Sequence, residues 1–111
     1  MIDRETLKES QVCLIGYLLE NIKDIDTLSI TKEYLKDFTV QGEKYNFKYI
    51  FERIEQIHKE NRDNELLLEL VNDELIGKDK LVQLVNGNTF EKLASIKEME
   101  RIIIQAHKED L

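Results

Sequence analysis

The sequence predicts an all-α fold, a compact bundle of about five or six helices, and three observations point to it. Proline is absent and glycine occurs only four times, so helix breakers are scarce. Charged residues make up 35% of the chain and apolar residues 41%, the balance of amphipathic helices with solvated outer faces. Apolar residues recur at steps of three and four through most of the 111 positions, the period of one helix face.

The first helix is expected from Arg4 to Ile22, with Leu7, Leu14, Ile15, Leu18, Leu19 and Ile22 on one side. Val12, Cys13, Gly16 and Tyr17 carry the apolar surface around most of the circumference, which marks a helix surrounded by neighbours. Gly16 costs roughly 1 kcal/mol relative to alanine inside a helix, so it is read as a place where another backbone comes close. A polar stretch then leads to a short helical turn from Thr31 to Asp37, with Thr31 as its cap and Phe38 anchoring a loop through Gly42.

A helix from Glu43 to Asn61 follows, with Phe47, Ile50, Phe51, Ile54 and Ile57 in one stripe. Tyr45 and Tyr49 fall outside that stripe as an i, i+4 pair and are either a candidate partner surface, since an exposed tyrosine offers an apolar ring and a polar tip, or a place where a second helix extends the core. The leucine-rich segment from Asn64 to about Glu74 is a further helix, stopped or bent at Gly77. Asp79 is expected to cap a short helix through Val85, ended by Asn86 and Gly87, residue types that tolerate a left-handed terminus.

Asn88 and Glu91 resemble a capping box that opens a last helix of about 20 residues. Phe90, Leu93 and Ala94 give it one apolar face, and Ile96, Met99, Ile103 and Ala106 give a second at heptad-like steps. That seam needs another helix, from this fold, from another copy or from a longer parent protein. Ile96, Met99, Ile102, Ile103 and Ala106 are accordingly the candidate oligomer interface.

Several functions find no support. The net charge of −7 opposes sequence-independent binding to nucleic acid, which relies on Lys and Arg, and favours a basic protein as partner. The longest mostly apolar uncharged run, Val12 to Leu19, falls far short of the roughly 20 residues of a membrane span. With a single cysteine and no signal-like start, a reducing cytoplasm is the expected compartment. His58 and His107 lack further ligands at zinc-site spacing, and no metal is expected. Cys13 inside the first helix lacks the electropositive setting of a nucleophile. Gly77-Lys78 lacks both the preceding glycine and the following Ser or Thr of a phosphate loop. The scattered carboxylates, such as Glu52, Glu55, Asp73 and Glu74, read as solvated faces, so no catalytic residue is assigned.

The stretch Ser10-Gln11-Val12-Cys13-Leu14-Ile15-Gly16-Tyr17-Leu18-Leu19-Glu20-Asn21 resembles the opening helix of DnaB-type replicative helicases, typically Glu-Gln-small-Val-Leu-Gly-Gly-Leu-Met-Leu-Asp-Asn. Gln11, Leu14, Gly16, Leu19 and Asn21 match. Asp37-Phe38, Tyr49-Ile50-Phe51-Glu52 with Ile54, and Leu81-Val82-Gln83-Leu84 resemble later segments of the family's N-terminal domain. Departures at Ser10, Ile15 and Phe47 point to a divergent phage or mobile-element relative.

The resemblance implies a globular helical head over 1–87 and the first arm of a helical hairpin over 88–111. Paired hairpins would build the collar of a hexameric ring, and the collar would dock the primase C-terminal domain and the helicase loader. It also implies that this domain carries no catalysis and no cofactor, because ATP and magnesium belong to a RecA-like motor domain further along. Two other readings follow from the same residues: a stand-alone phage regulator that binds a host helicase or its loader, and a helix-turn-helix nucleic-acid binder. The second needs a basic recognition helix, which the acid-rich segment from Asp63 to Glu74 does not supply.

Overall fold

In the computed structural model, which describes residues 1–40, 42–87 and 93–110, the chain is mainly helical, as its composition implies. The helices are α1 (Arg4–Glu20), α2 (Phe47–Lys59), α3 (Leu66–Val71), α4 (Gly77–Asn86) and α5 (Leu93–Glu109). Short 3-10 turns lie at Ile22–Thr27, Lys32–Tyr34 and Asp63–Glu65.

Helix α1 starts where Asp3, in extended conformation, accepts a 2.8 Å hydrogen bond from the Thr6 amide on Oδ1. It is buried on several sides, as its wide apolar surface requires. It ends two residues before the expected Ile22, because Asn21 turns out of helical geometry and its Nδ2 donates to the Tyr17 carbonyl. Gln11, fully buried, donates through Nε2 to the Lys36 carbonyl at 2.7 Å and accepts the Lys36 amide on Oε1 at 2.9 Å. One side chain thereby ties the central helix to the loop after the second 3-10 turn.

Where a helical turn from Thr31 to Asp37 was expected, only Lys32–Tyr34 coils, and the Thr31 hydroxyl donates to Glu33 instead of capping the backbone. The start of the next predicted helix is also different. Phe38–Val40 (β1) and Glu43–Tyr45 (β2) form an antiparallel hairpin with Phe38 opposite Tyr45, and Gly42 sits at φ +81° in its turn. Helix α2 therefore begins only at Phe47, with Phe47, Ile50, Phe51, Ile54 and Ile57 buried as its stripe demands.

Gly77 adopts φ +79° and opens α4, so the bend expected there falls at a helix start. Gly87 serves a different need from the expected left-handed terminus. Its φ is −75°, and a Cβ placed on it would lie 2.4 Å from Val12 Cγ1. It is small so that the end of α4 can reach α1, where Cys13 Sγ also donates to the Gly87 carbonyl at 3.4 Å.

Helix α5 lies along α1. Its capping residues Asn88 and Glu91, Phe90, and the side chains of Leu93 and Ala94 fall outside the described residues. Ile96 and Ile103 have no exposed surface, and Ala106 is buried beside them. Glu100, also buried, accepts the Ser29 and Ile30 amides on Oε2 and pairs with Lys97 through Oε1, so a carboxylate inside the domain is fully satisfied. Lys97 donates as well to the Thr27 carbonyl, and Lys36 pairs with Asp110 near the far end of the helix. The Ile2 amide bonds Glu109, and the Tyr34 ring tilts against His107 at 4.6 Å.

Helix α5 thus packs against α1 as part of one body with the helices that precede it. The radius of gyration of 13.0 Å agrees, because a compact domain of about 100 residues measures about 13 Å. Among the described residues no helix is long and apolar enough to cross a membrane.

Candidate functional site

The residues picked out from the sequence as interfaces are mostly occupied within the chain. Of the seam on α5, Ile96, Ile103 and Ala106 are buried against the domain's own core, while Met99 and Ile102 are half-buried at its edges. The missing second helix is α1, whose apolar surface runs around its circumference and so covers α5 as well as its other neighbours. Periodicity reported a face that needed cover, and the fold supplies that cover from within.

Tyr45 is likewise not a free surface. It lies in β2, only 1% exposed, with its ring stacked on Phe47 at 5.8 Å and its hydroxyl donating to Gln83 Oε1 at 2.7 Å. Because the hairpin replaces the first turn of the predicted helix, Tyr45 and Tyr49 do not share a helix face. Tyr49, on α2, is half-buried and donates to Asp73 Oδ2 at 2.5 Å. That bond, together with burial, holds the Tyr49 phenol above its usual pKa.

The Tyr49–Asp73 bond belongs to a polar brace that sets α3 against α2. Arg53 reaches Glu69 at 3.2 Å and Asp73 at 3.4 Å, and Arg62 reaches Glu69 at 2.5 Å. With this brace on one side, α3 buries Leu66 and Leu70 and turns Leu67, Leu68 and Val71 outward. A six-residue helix written Leu-Leu-Leu-Glu-Leu-Val has more apolar positions than one face can hide.

Helix α4 continues the pattern: Leu81 and Leu84 point inward, Val82 is exposed and Val85 is half-buried. Between the two helices lies an open groove of about 330 Å³, lined by Leu67, Val71, Leu81, Val82 and Val85, with Lys78 and Asn86 at its edge. Leu75, in the connection, is 51% exposed.

Apart from Met1, every exposed large apolar residue among the described ones lies between Leu67 and Val82. Apolar residues scattered singly on a surface are ordinary, whereas a contiguous set around a groove marks a place where another molecule packs. The hint in the sequence was the leucine run itself, which spacing marks as a helix without saying which of its faces stays uncovered. The surroundings are acidic. Residues 63–87 hold six carboxylates and two lysines. Glu65, Glu74 and Asp79 have no basic partner among the described residues.

The other polar groups singled out from the sequence are engaged in structural contacts. His58 bridges Asp63 through Nδ1 at 2.8 Å and Asp26 through Nε2 at 2.9 Å, tying the end of α2 to the turn after α1. Those two carboxylates raise its pKa, Asp26 contributing most. Tyr17 donates to Asp24 at 2.5 Å, and that bond with burial pushes its phenol up to about 12. Among the described residues no group of three or more His, Cys, Asp or Glu side chains is arranged to hold a metal ion. Comparison with family models, curated proteins and solved structures finds no match for this chain.

Proposed function

We propose that this chain is a non-catalytic docking domain of the replicative-helicase type, which binds a protein partner of the replication machinery, the primase C-terminal domain or the helicase loader, through the α3–α4 groove. The observation that carries the reading is the concentration of exposed apolar side chains between Leu67 and Val82, three of which, Leu67, Val71 and Val82, line the α3–α4 groove. Support for the helicase type comes from the residues behind the resemblance, which do scaffold work here. Gln11 latches α1 to Lys36, Asn21 ends α1, and Leu14, Gly16 and Leu19 lie buried in that helix.

Calorimetric titration of the chain with the primase C-terminal domain and with the loader from the same source tests the reading. Binding of either partner is expected, weakened about tenfold or more by the double variant Leu67→Asp/Val82→Asp. Absence of binding to both refutes it.

A further inference from the structure

The kind of segment that fits the groove follows from its walls and its rim. The walls are helices, so the groove offers side chains rather than an edge strand. Its apolar positions lie one turn apart on each wall, Leu67 and Val71 on α3, Val82 and Val85 on α4. Ridges at that spacing accept a third helix whose own apolar residues recur at i, i+3, i+4 and i+7.

The rim selects the charge of that helix. Beyond Val82 a second depression holds Glu43 and Asp79, neither of which has a basic partner among the described residues. Lys80, which also lines that depression, is turned to the Leu75 carbonyl and lies 5.8 Å from the centre of the Tyr45 ring. Glu65 and Glu74 flank the apolar positions of α3 in sequence, and both are exposed. Lys78 stands at the groove edge, and residues 63–87 as a whole hold six carboxylates against two lysines. A second copy of the chain is a poor occupant, since it would bring a further charge of −7 to an acidic rim.

We propose that the α3–α4 groove takes an amphipathic helix of a partner protein whose apolar stripe is flanked by lysine and arginine. This deepens the docking reading above and rests on it. The leucines and valines supply the contact area, while Glu43 and Asp79 beside Val82, within a chain of net charge −7, fix which helices are accepted and speed their approach.

Two synthetic peptides of about four turns test it. One carries leucine at i, i+3, i+4 and i+7 with lysine at the remaining outer positions, and its twin carries glutamate in place of every lysine. Each is titrated into the isotope-labelled full chain, with amide chemical shifts and calorimetry as readouts. The lysine peptide is expected to shift amides of residues 67–85 and to bind at least about tenfold tighter than its twin, with an advantage that shrinks as salt rises. Leu67→Asp/Val82→Asp should abolish its binding. Glu43→Lys/Asp79→Lys, which leaves the apolar floor intact, should narrow or reverse the preference.

The proposal is overturned if neither peptide binds, if the glutamate twin binds as well, or if the shifts map to another face. It is also overturned if the chain dimerises with concentration and Leu67→Asp/Val82→Asp abolishes the dimer, because the groove then belongs to a second copy. Binding of the lysine peptide at the groove with no binding of primase or loader would remove the helicase assignment and leave this inference standing. Primase binding unaffected by Leu67→Asp/Val82→Asp would do the reverse.

Discussion

Replacing Ile103 by alanine separates a core seam from a subunit interface. The side chain has no exposed surface and sits in the buried cluster shared with α1. Removing three of its carbons loses their transfer free energy and leaves a cavity beneath a helix held along its length by Glu100, Lys97 and Glu109. Such anchoring limits collapse into the cavity, and a cost of about 3 kcal/mol is expected within the usual range for this change.

Small domains have a total stability of about 5–15 kcal/mol, so the variant should remain folded but markedly weaker. With a urea dependence of about 1.5 kcal/mol per molar, the unfolding midpoint should fall by roughly 2 M. Ile103→Val, which deletes one methylene, should cost about 1 kcal/mol.

The assay is urea unfolding followed by circular dichroism at two protein concentrations about a hundredfold apart, with solution mass measured alongside. A core position gives the same loss at both concentrations, because only an interface couples stability to mass action. The reasoning fails if Ile103→Ala leaves the midpoint unchanged, or if its effect appears as loss of a dimer with the monomer intact.

Two further outcomes are expected. Gln11→Leu keeps the volume of the buried side chain but leaves the Lys36 amide and carbonyl without their partner, and should lower stability by about 2–4 kcal/mol; a neutral result in urea unfolding would show that solvent replaces both bonds. For His58, the folded-state pKa is raised by Asp26 and Asp63, so its contribution is fully present below the ordinary histidine value of about 6.5 and fades as pH climbs through the raised folded value. His58→Gln should therefore be less stable than the parent at pH 5.5 by about 0.5–1 kcal/mol, the scale of a pair whose Asp26 side is largely exposed, with the gap closing above that window. A gap that instead widens with rising pH would contradict the assigned linkage.

The sequence carried most of the helical architecture. The stripe from Phe47 to Ile57, the all-round apolar surface of α1 and the seam on α5 each reflect local spacing, and each appears in the fold as a buried face. The β-hairpin at 38–45 escaped because its strands have three residues each, too short for an alternation to register, and because Glu43 to Tyr45 blends into the pattern of α2.

Spacing shows that a face is apolar but says nothing about what will lie against it. That choice is made only when distant segments meet. Ile103 and its neighbours looked like a contact for another subunit until α1 closed over them, and Tyr45 looked exposed until the hairpin turned it onto Phe47 and Gln83. The leucines of α3 are a different case. The sequence marked only a leucine-rich helix, and the brace of Arg53, Arg62 and Tyr49 on Glu69 and Asp73 accompanies an orientation in which Leu66 and Leu70 face the interior and Leu67, Leu68 and Val71 remain outside. Local composition thus determined the helices and their apolar faces. Tertiary packing decided which of those faces stayed uncovered, because burial depends on which surfaces the rest of the chain can reach.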